Sequence, residues 1–281
     1  MAKGKLNNSS LPIGGMIGQV LAKNSDTDGD ASWYNLRHLP YDKWYLADGI
    51  LESDVIAAYE FVNRLDEAEA LVNINDGIKY PLTKSSNSIT WSSNAGVYIS
   101  NTQNIRLYND SLLSAYSTVY SAIFGFHGVN NTDNGSGKII GGILLNKARR
   151  LTIGAFGSTI DSSPDSYAIP SINIGDGTSN GQNYSHETFY NKGVIGGNWN
   201  TNESELFIEG YQRNITASPG YANYTISNPL YGLLTQPILT TASNHTVYSY
   251  YVTSLVLYKV TLTKAQHLQL SDNIHALGWI D

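Results

Sequence analysis

The sequence has no cysteine, so it can form neither a disulfide framework nor a thiolate zinc site. The fold therefore does not depend on the redox state of its compartment. Charge is also scarce, because Asp, Glu, Lys and Arg together make up only 14% of the chain, against about a quarter in most globular proteins. Solubility must rest on Asn, Ser, Thr and Gly. That mixture, with 20 tyrosines, is common on exposed β surfaces that contact glycans or protein partners.

Basic clusters and long apolar runs are lacking as well. The net charge is −6 and the densest basic cluster is only Lys147, Arg149 and Arg150, so we expect no nucleic-acid partner. Polar residues follow the first methionine, which predicts the absence of a secretory signal peptide. No stretch approaches the roughly 18 apolar residues of a membrane span. We expect synthesis in a cytoplasm and no membrane partner.

Metal-binding motifs are weak. None of the six histidines has H-x-H or H-E-x-x-H spacing. Asn24, Asp26, Asp28 and Gly29 imitate the start of an EF-hand loop, but its twelfth position is Asn35 rather than Glu. Asx turns are the better interpretation of this stretch. The sequence predicts no metal and no cofactor.

Residues 11–33 form a segment too short to close a hydrophobic core, so it should dock on another surface or oligomerise. The pattern G-Q-V-L-x-K-x-S-x-x-D-x-D-x-x-W runs from Gly18 to Trp33. It resembles a segment of bacteriophage fibre and appendage proteins, particularly head fibres, that lies near the N-terminus and joins the virion, usually as a trimer. The attachment residues that this resemblance implies are Leu11, Pro12, Gly18, Gln19, Val20, Leu21, Lys23, Asp28, Asp30 and Trp33.

The rest of the chain has the pattern of short strands. From Ile78 onward, runs of β-branched and aromatic residues alternate with turn residues roughly every 8 to 14 positions, which favours an antiparallel sandwich. Residues 250–258 should form a central strand. Thr263 and Gln266 form a capping box that opens a short helix through about Leu270. For residues 53–61 the local pattern fits either a helix that begins at Ser53 or a strand.

Three stretches, 57–91, 196–210 and 255–266, resemble the concanavalin-type, laminin-G-like jelly roll that binds glycans in many lectins and appendage proteins. The resemblance implies an antiparallel jelly-roll β-sandwich over residues 46–281, with a short C-terminal helix. An extended, oligomeric attachment segment over residues 1–45 would precede it, and the fold class is mainly β. The family often binds calcium or sugar through loop Asp and Asn residues, and this chain has no unambiguous ligand set to match.

Tyrosine-rich loops are the binding candidates of this domain. Tyr rings stack on sugar faces or on protein partners, and neighbouring Asn side chains supply donors and acceptors. The alternative is that these rings pack in the core or between subunits. The candidate glycan- or partner-binding residues are Tyr184, Tyr190, Tyr211, Tyr221 and Tyr224.

One carboxylate series raises an enzymatic alternative. Glu203, Glu205 and Glu209 are separated by even numbers, so on a strand they would share one face while Leu206 and Ile208 point to the other. Retaining glycosidases on jelly rolls use two carboxylates about 5 Å apart. The third carboxylate is displaced here from that spacing, so a solvated polar face is the better interpretation and no catalytic residue is predicted.

The sequence therefore predicts a non-enzymatic structural protein of a bacteriophage virion, made in the host cytoplasm. A homotrimeric head fibre anchored to capsid protein by its N-terminus, with its sandwich displayed for adhesion to glycans of a host or its surroundings, is the first choice. A tail-associated receptor-binding protein is the second, and a polysaccharide-degrading enzyme is the third.

Overall fold

The computed structural model describes residues 19–23, 31–35, 43–100, 105–131, 139–145, 150–155, 169–174, 182–185, 191–199, 204–214, 216–217, 232–236 and 248–276. The chain divides into two compact units, Met1–Trp44 and Tyr45–Asp281. In the described part of the chain, no helix has the length and apolar character that a membrane crossing requires.

The described residues form eighteen strands and three α-helices. The strands are β1 Gln19–Lys23, β2 Ala31–Asn35, β3 Val55–Glu60, β4 Thr83–Lys84, β5 Ile89–Ser92, β6 Gly96–Ile99, β7 Ile105–Tyr108, β8 Ser121–Asn131, β9 Ile139–Leu144, β10 Arg150–Ala155, β11 Ile169–Ile174, β12 Gln182–Ser185, β13 Gly193–Trp199, β14 Ser204–Ile208, β15 Tyr211–Arg213, β16 Thr216–Ala217, β17 Gly232–Gln236 and β18 Tyr248–Tyr258. The helices are α1 Glu67–Ala70, α2 Asp110–Ser114 and α3 Lys264–Ala276, and two 3₁₀ turns span Glu52–Asp54 and Tyr116–Thr118.

The first unit contains an antiparallel hairpin of β1 and β2, in which Leu21 pairs with Trp33 and Val20 with Tyr34. Five of the predicted attachment residues lie on this hairpin, Gln19, Val20, Leu21 and Lys23 on β1 and Trp33 on β2. The other five lie outside the described residues: Leu11, Pro12, Gly18, Asp28 and Asp30. A two-stranded hairpin is at best marginally stable by itself in water, so this one needs further contacts to persist.

The second unit is an antiparallel β-sandwich, as the sequence predicts. Sheet I has the order β15-β14-β13-β8-β18-β6-β5, with β3 also paired to β18. Sheet II has the order β16-β12-β11-β10-β9-β17-β7-β4. The core lies between them, where Phe124 and Leu255 of sheet I meet Leu151, Ile172 and other apolar residues of sheet II. The predicted central strand is confirmed, because β18 pairs with β3, β6 and β8.

The inward-facing residues of β18 change phase along the strand. Tyr250 and Val252 are core residues in the first half, and Leu255 and Leu257 are core residues in the second. A register shift between Val252 and Ser254, opposite β8, accounts for the change from even to odd positions. The bulge brings the carbonyl of Val252 close to β6, where a Cβ on Gly96 would lie 2.2 Å from that oxygen.

Two local predictions are resolved by the structure. Residues 55–60 form a strand, since β3 pairs with β18 from Val55 to Glu60 and only the preceding 3₁₀ turn is helical. The capping box is confirmed, because Thr263 N donates to Gln266 Oε1 at 2.8 Å and Gln266 N to Thr263 Oγ1 at 3.3 Å. The helix continues past the expected end to Ala276, since its buried face continues to Ile274.

Two adjacent glycines make β13 thin on both faces. A Cβ on Gly197 would lie 2.7 Å from the Ile172 side chain, so this glycine lets sheet II approach from the core. A Cβ on Gly196 would lie 2.6 Å from Nδ1 of His267, so this glycine lets α3 approach from the outside. The imidazole of His267 also stacks on Phe207 with ring centroids 3.7 Å apart. Helix α3 therefore packs the His267 imidazole directly against the outer face of sheet I.

A buried hydrogen-bond cluster, the Asn198 network, lies beneath α3. Asn198 Oδ1 accepts from Ser121 Oγ at 2.7 Å and from His267 Nε2 at 2.9 Å. Its Nδ2 donates to Glu205 Oε2 at 2.7 Å and to the Leu262 carbonyl at 2.9 Å. The asparagine is fully buried and uses all of its amide hydrogen-bonding capacity. Burial lowers the pKa of His267 to about 3, so the ring is neutral at physiological pH.

Candidate functional site

A cleft of about 540 Å³ opens on the second unit, within the range of roughly 300–1,000 Å³ that is usual for small-ligand sites. Its walls come from four places in the chain: the 3₁₀ turn with the start of β3, the loop after α1, the connection after α2, and the residue after β18. The lining side chains that carry polar groups are Glu52, Ser53, Asn75, Asp76, Lys79, Tyr80, Thr118 and Lys259.

Hydrogen bonds to the backbone hold these walls together. Asn75 Nδ2 donates to the Val55 carbonyl at 3.0 Å, which fixes the loop after α1 against β3. The backbone N–H of Lys259 donates to the Asp54 carbonyl at 2.9 Å, which fixes the end of β18 against the 3₁₀ turn. Thr118 Oγ1 donates to the Ala115 carbonyl at 2.8 Å. The cleft is thus framed by tied segments, which suits a preformed binding site.

Tyr80 is the conformationally strained residue of the cleft. Its φ is +60°, a left-handed conformation that a bulky side chain rarely adopts. The hydroxyl of Tyr59 donates to the Tyr80 carbonyl at 2.7 Å and helps to hold the residue there. Such backbone strain amounts to about 1–3 kcal/mol and is concentrated at functional sites in proteins. The rest of the fold therefore stabilises an aromatic residue in an unfavourable conformation at the wall of the cleft.

An ion pair occupies one side of the cleft. Lys79 Nζ lies 2.9 Å from Asp76 Oδ2. The side-chain hydrogen bond from Lys79 lowers the pKa of the Asp76 carboxyl, and the same bond raises the pKa of Lys79. Both groups are consequently charged across the physiological range. They offer a carboxylate acceptor and an ammonium donor side by side.

The predicted tyrosine sites lie elsewhere or outside the described residues. Tyr211 is on β15 at the edge of sheet I and is 58% exposed. Tyr184 is on β12, where it pairs with Ile172 and Ala217. Tyr190, Tyr221 and Tyr224 lie outside the described residues. Neither Tyr184 nor Tyr211 lines the cleft. A role of the predicted tyrosines in binding stays a prediction.

The carboxylates of the enzymatic alternative are engaged in the structure. Leu206 and Ile208 are core residues, as the alternation predicts, and Glu205 lies on the opposite face. Its two oxygens accept from Asn198 and, at 2.8 Å, from Gln212 Nε2. Glu209 has left the strand and has a φ of +54°. It accepts from Val194 N at 3.1 Å and from the ring of His275, while Glu203 lies outside the described residues.

A row of rings crosses the outer face of sheet I. Tyr251 on β18 pairs with Tyr98 on β6 and with His127 on β8. The ring centroids of Tyr98 and Tyr251 are 4.8 Å apart, and those of His127 and Tyr251 are 5.0 Å apart. His127 Nε2 donates to the Ala95 carbonyl at 2.9 Å. Cross-strand aromatic pairs of this kind stabilise a sheet, which is sufficient reason for the row.

Sequence reasoning missed the cleft for a physical reason. Its walls are contributed by segments that are distant in sequence and meet only because β18 returns beside β3. The nearest local signal is the Asp76-Gly77 turn, in which Gly77 has a φ of +77°. In the described ranges, no group of three or more His, Asp or Glu residues has an arrangement that would hold a metal ion.

No protein-family model matches this chain, and no curated protein matches it. Among solved structures, the binding domain of botulinum neurotoxin DC in complex with rat synaptotagmin II is similar, with 9% identity, 80% of this chain and 52% of that chain covered, and a TM-score of 0.49. A structure of botulinum neurotoxin type C, whose cell entry is dependent upon interaction with two ganglioside molecules, has 9% identity, 79% and 52% coverage, and a TM-score of 0.49.

The receptor-binding domain of botulinum neurotoxin type G is similar at 10% identity, with 78% of this chain and 51% of that chain covered and a TM-score of 0.46. This chain spans about half the length of each of these structures. At this identity and these TM-scores, the likeness assigns no function to the chain.

Proposed function

We propose that the β-sandwich is a carbohydrate-binding adhesion domain that takes a sugar in the cleft and performs no chemistry on it. The observation that carries this proposal is the cleft itself, of about 540 Å³, with polar walls tied to the frame of the sandwich. Sugar hydroxyls act as both donors and acceptors, so a site that binds them needs both kinds of partner. The carboxylates, amide, hydroxyls and ammonium groups of this lining supply both.

One further feature suits a sugar ligand. Tyr80 packs partly against the core and also lines the cleft, so the exposed part of its ring is available to stack on the C–H face of a sugar.

Blocking the cleft should weaken glycan binding. Ala115 lines the cleft, whereas its neighbour Ser114 is exposed and does not line it. We expect Ala115→Trp to weaken binding at least about tenfold on an array of bacterial surface glycans, because the indole fills the cleft. The matched variant Ser114→Trp should bind as the wild type does, and thermal unfolding of both variants establishes that they are folded. Equal binding by the two variants would refute the cleft as the site.

We further propose that this domain is displayed on a bacteriophage virion. A head fibre is the first choice, and a tail-associated receptor-binding protein is the second. The support is the resemblance of residues 18–33 to the attachment segment of phage fibre proteins. The hairpin of β1 and β2 fits that role, since two strands alone need added contacts. Other copies of the chain, as in a homotrimer, or a capsid protein would supply them. Synthesis would occur in the host cytoplasm.

Electron microscopy of virions tests the attachment. We expect antibody-gold or cryo-microscopy density for the full chain on the head, and loss of that density when residues 1–45 are deleted. Density at the tail would transfer the proposal to receptor binding by a tail-associated protein. Absence of the chain from purified virions would overturn the appendage role. A monomer in light scattering at micromolar concentration would count against the trimer.

A further inference from the structure

Only some of the charged side chains that line the cleft form ion pairs within the protein. Asp76 and Lys79 neutralise one another at 2.9 Å. Glu52 adds a second carboxylate to the lining. Lys259 is exposed, and among the described residues its ammonium group has no ion-pair partner. The lining therefore leaves a cation available for a ligand.

Lys259 is also fixed at its base. Its backbone N–H donates to the Asp54 carbonyl at 2.9 Å. The preceding residue, Tyr258, is fully buried, and its hydroxyl donates to the Tyr45 carbonyl at 2.7 Å. The exposed side chain of Lys259 extends from this tied strand end and lines the cleft.

We propose that the ligand of the cleft is an acidic saccharide, whose carboxylate or sulfate group pairs with Lys259. This inference rests on the proposed function and adds the class of sugar to it. The protein carries a net charge of −6, so a site for an anionic glycan needs a local cation. Glu52 and Asp76 both bring negative charge to the lining, so its formal charge is zero. Lys79 is bound to Asp76, which leaves the ammonium group of Lys259 as the lining cation that can pair with the anion.

Matched oligosaccharides test the proposal in the full chain. The probes are an oligomer of galacturonic acid, the same oligomer with its carboxyl groups reduced to alcohols, and a sulfated galactan oligomer, each titrated by calorimetry. We expect an acidic oligomer to bind about tenfold more tightly than the reduced one at low salt, as a charge-assisted hydrogen bond would give. Tighter binding of the uronate identifies a carboxylate, and tighter binding of the sulfated oligomer identifies a sulfate.

Two lysine variants separate the site from general charge. Lys259→Met should remove the advantage of the acidic oligomer and leave the affinity for the reduced oligomer unchanged. Lys264→Met removes an exposed lysine at the start of α3 that does not line the cleft, and it should preserve the advantage. Equal affinity of the wild type for the acidic and reduced oligomers would overturn the acidic class and leave the proposed function standing. Binding of none of the three oligomers would also overturn the acidic class, whereas the proposed function is decided by the comparison of Ala115→Trp with Ser114→Trp on the glycan array.

Discussion

Gly96→Ala should lower the free energy of unfolding of the sandwich by about 3–5 kcal/mol. Two effects add at this position. Gly96 has a φ of +89°, where an L-residue is strained, and its Cβ would lie 2.2 Å from the Val252 carbonyl oxygen. That oxygen belongs to the bulged centre of β18 and cannot rotate away as a side-chain atom can. The variant must therefore separate β6 from the central strand of sheet I.

Gly77→Ala is the matched control for this variant. Gly77 has a similar φ of +77°, but a Cβ there would meet no atom within 4 Å. It carries the left-handed strain alone, so we expect a loss of only about 1–2 kcal/mol. Urea unfolding followed by far-UV circular dichroism measures both. If the two alanine variants are equally destabilised, the close approach of β6 to the bulge is not significant.

Asn198→Ala should be of comparable severity, at about 3–5 kcal/mol. The truncation removes the amide to which Ser121, Glu205 and His267 of α3 are all bonded. Ser121 keeps its bond from Leu262 N and Glu205 its bond from Gln212. The buried ring of His267 and the Leu262 carbonyl lose the amide as a partner, and buried polar groups without partners are strongly destabilising. The free energy of unfolding from urea titration measures the effect, and faster proteolysis near residues 264–276 should accompany it.

Asn109→Ala provides the comparison for that variant. Asn109 makes two side-chain hydrogen bonds, whereas Asn198 makes four. As the cap of α2, its Oδ1 accepts from Leu112 N at 3.0 Å, and its Nδ2 donates to the Pro81 carbonyl at 2.9 Å. It is only half-buried, so water replaces the lost partners and we expect about 1 kcal/mol. A result for Asn198→Ala as small as this one would mean that the network adjusts or takes up water, and that α3 is held by its apolar contacts.

The parts of the fold that local sequence determines were predictable. The alternation of Leu206 and Ile208 assigned the core face of β14, and the pair of Thr263 and Gln266 marked the start of α3. Residues 53–61 were ambiguous, because their apolar pattern fits both a helix and a strand. Pairing with β18 selects the strand. Strand formation often depends on such tertiary context rather than on intrinsic preference.

The candidate site was not predictable for a related reason. No local rule indicates that Tyr80 adopts a positive φ, since tyrosine is a poor residue for that conformation. Lys259 is unremarkable until the end of β18 is placed beside the turn at Glu52–Asp54. The Asn198 network likewise joins Ser121 to residues of β13 and α3 that only the folded sheet brings together. Composition predicted a binding surface, and the candidate cleft is formed only by the pairing of distant strands.

The position of β18 has a consequence for how the protein is made. Sheet I is built around this strand, yet its partners β3, β6 and β8 all leave the ribosome before it does. Until residues 248–258 emerge, the nascent sheet has a gap at its centre and two unpaired edges beside it. Unpaired edges are templates for aggregation. The sandwich must therefore close in one late step, after nearly the whole unit has been synthesised. Nascent chains that stall before that step expose these unpaired edges to one another on the same polysome.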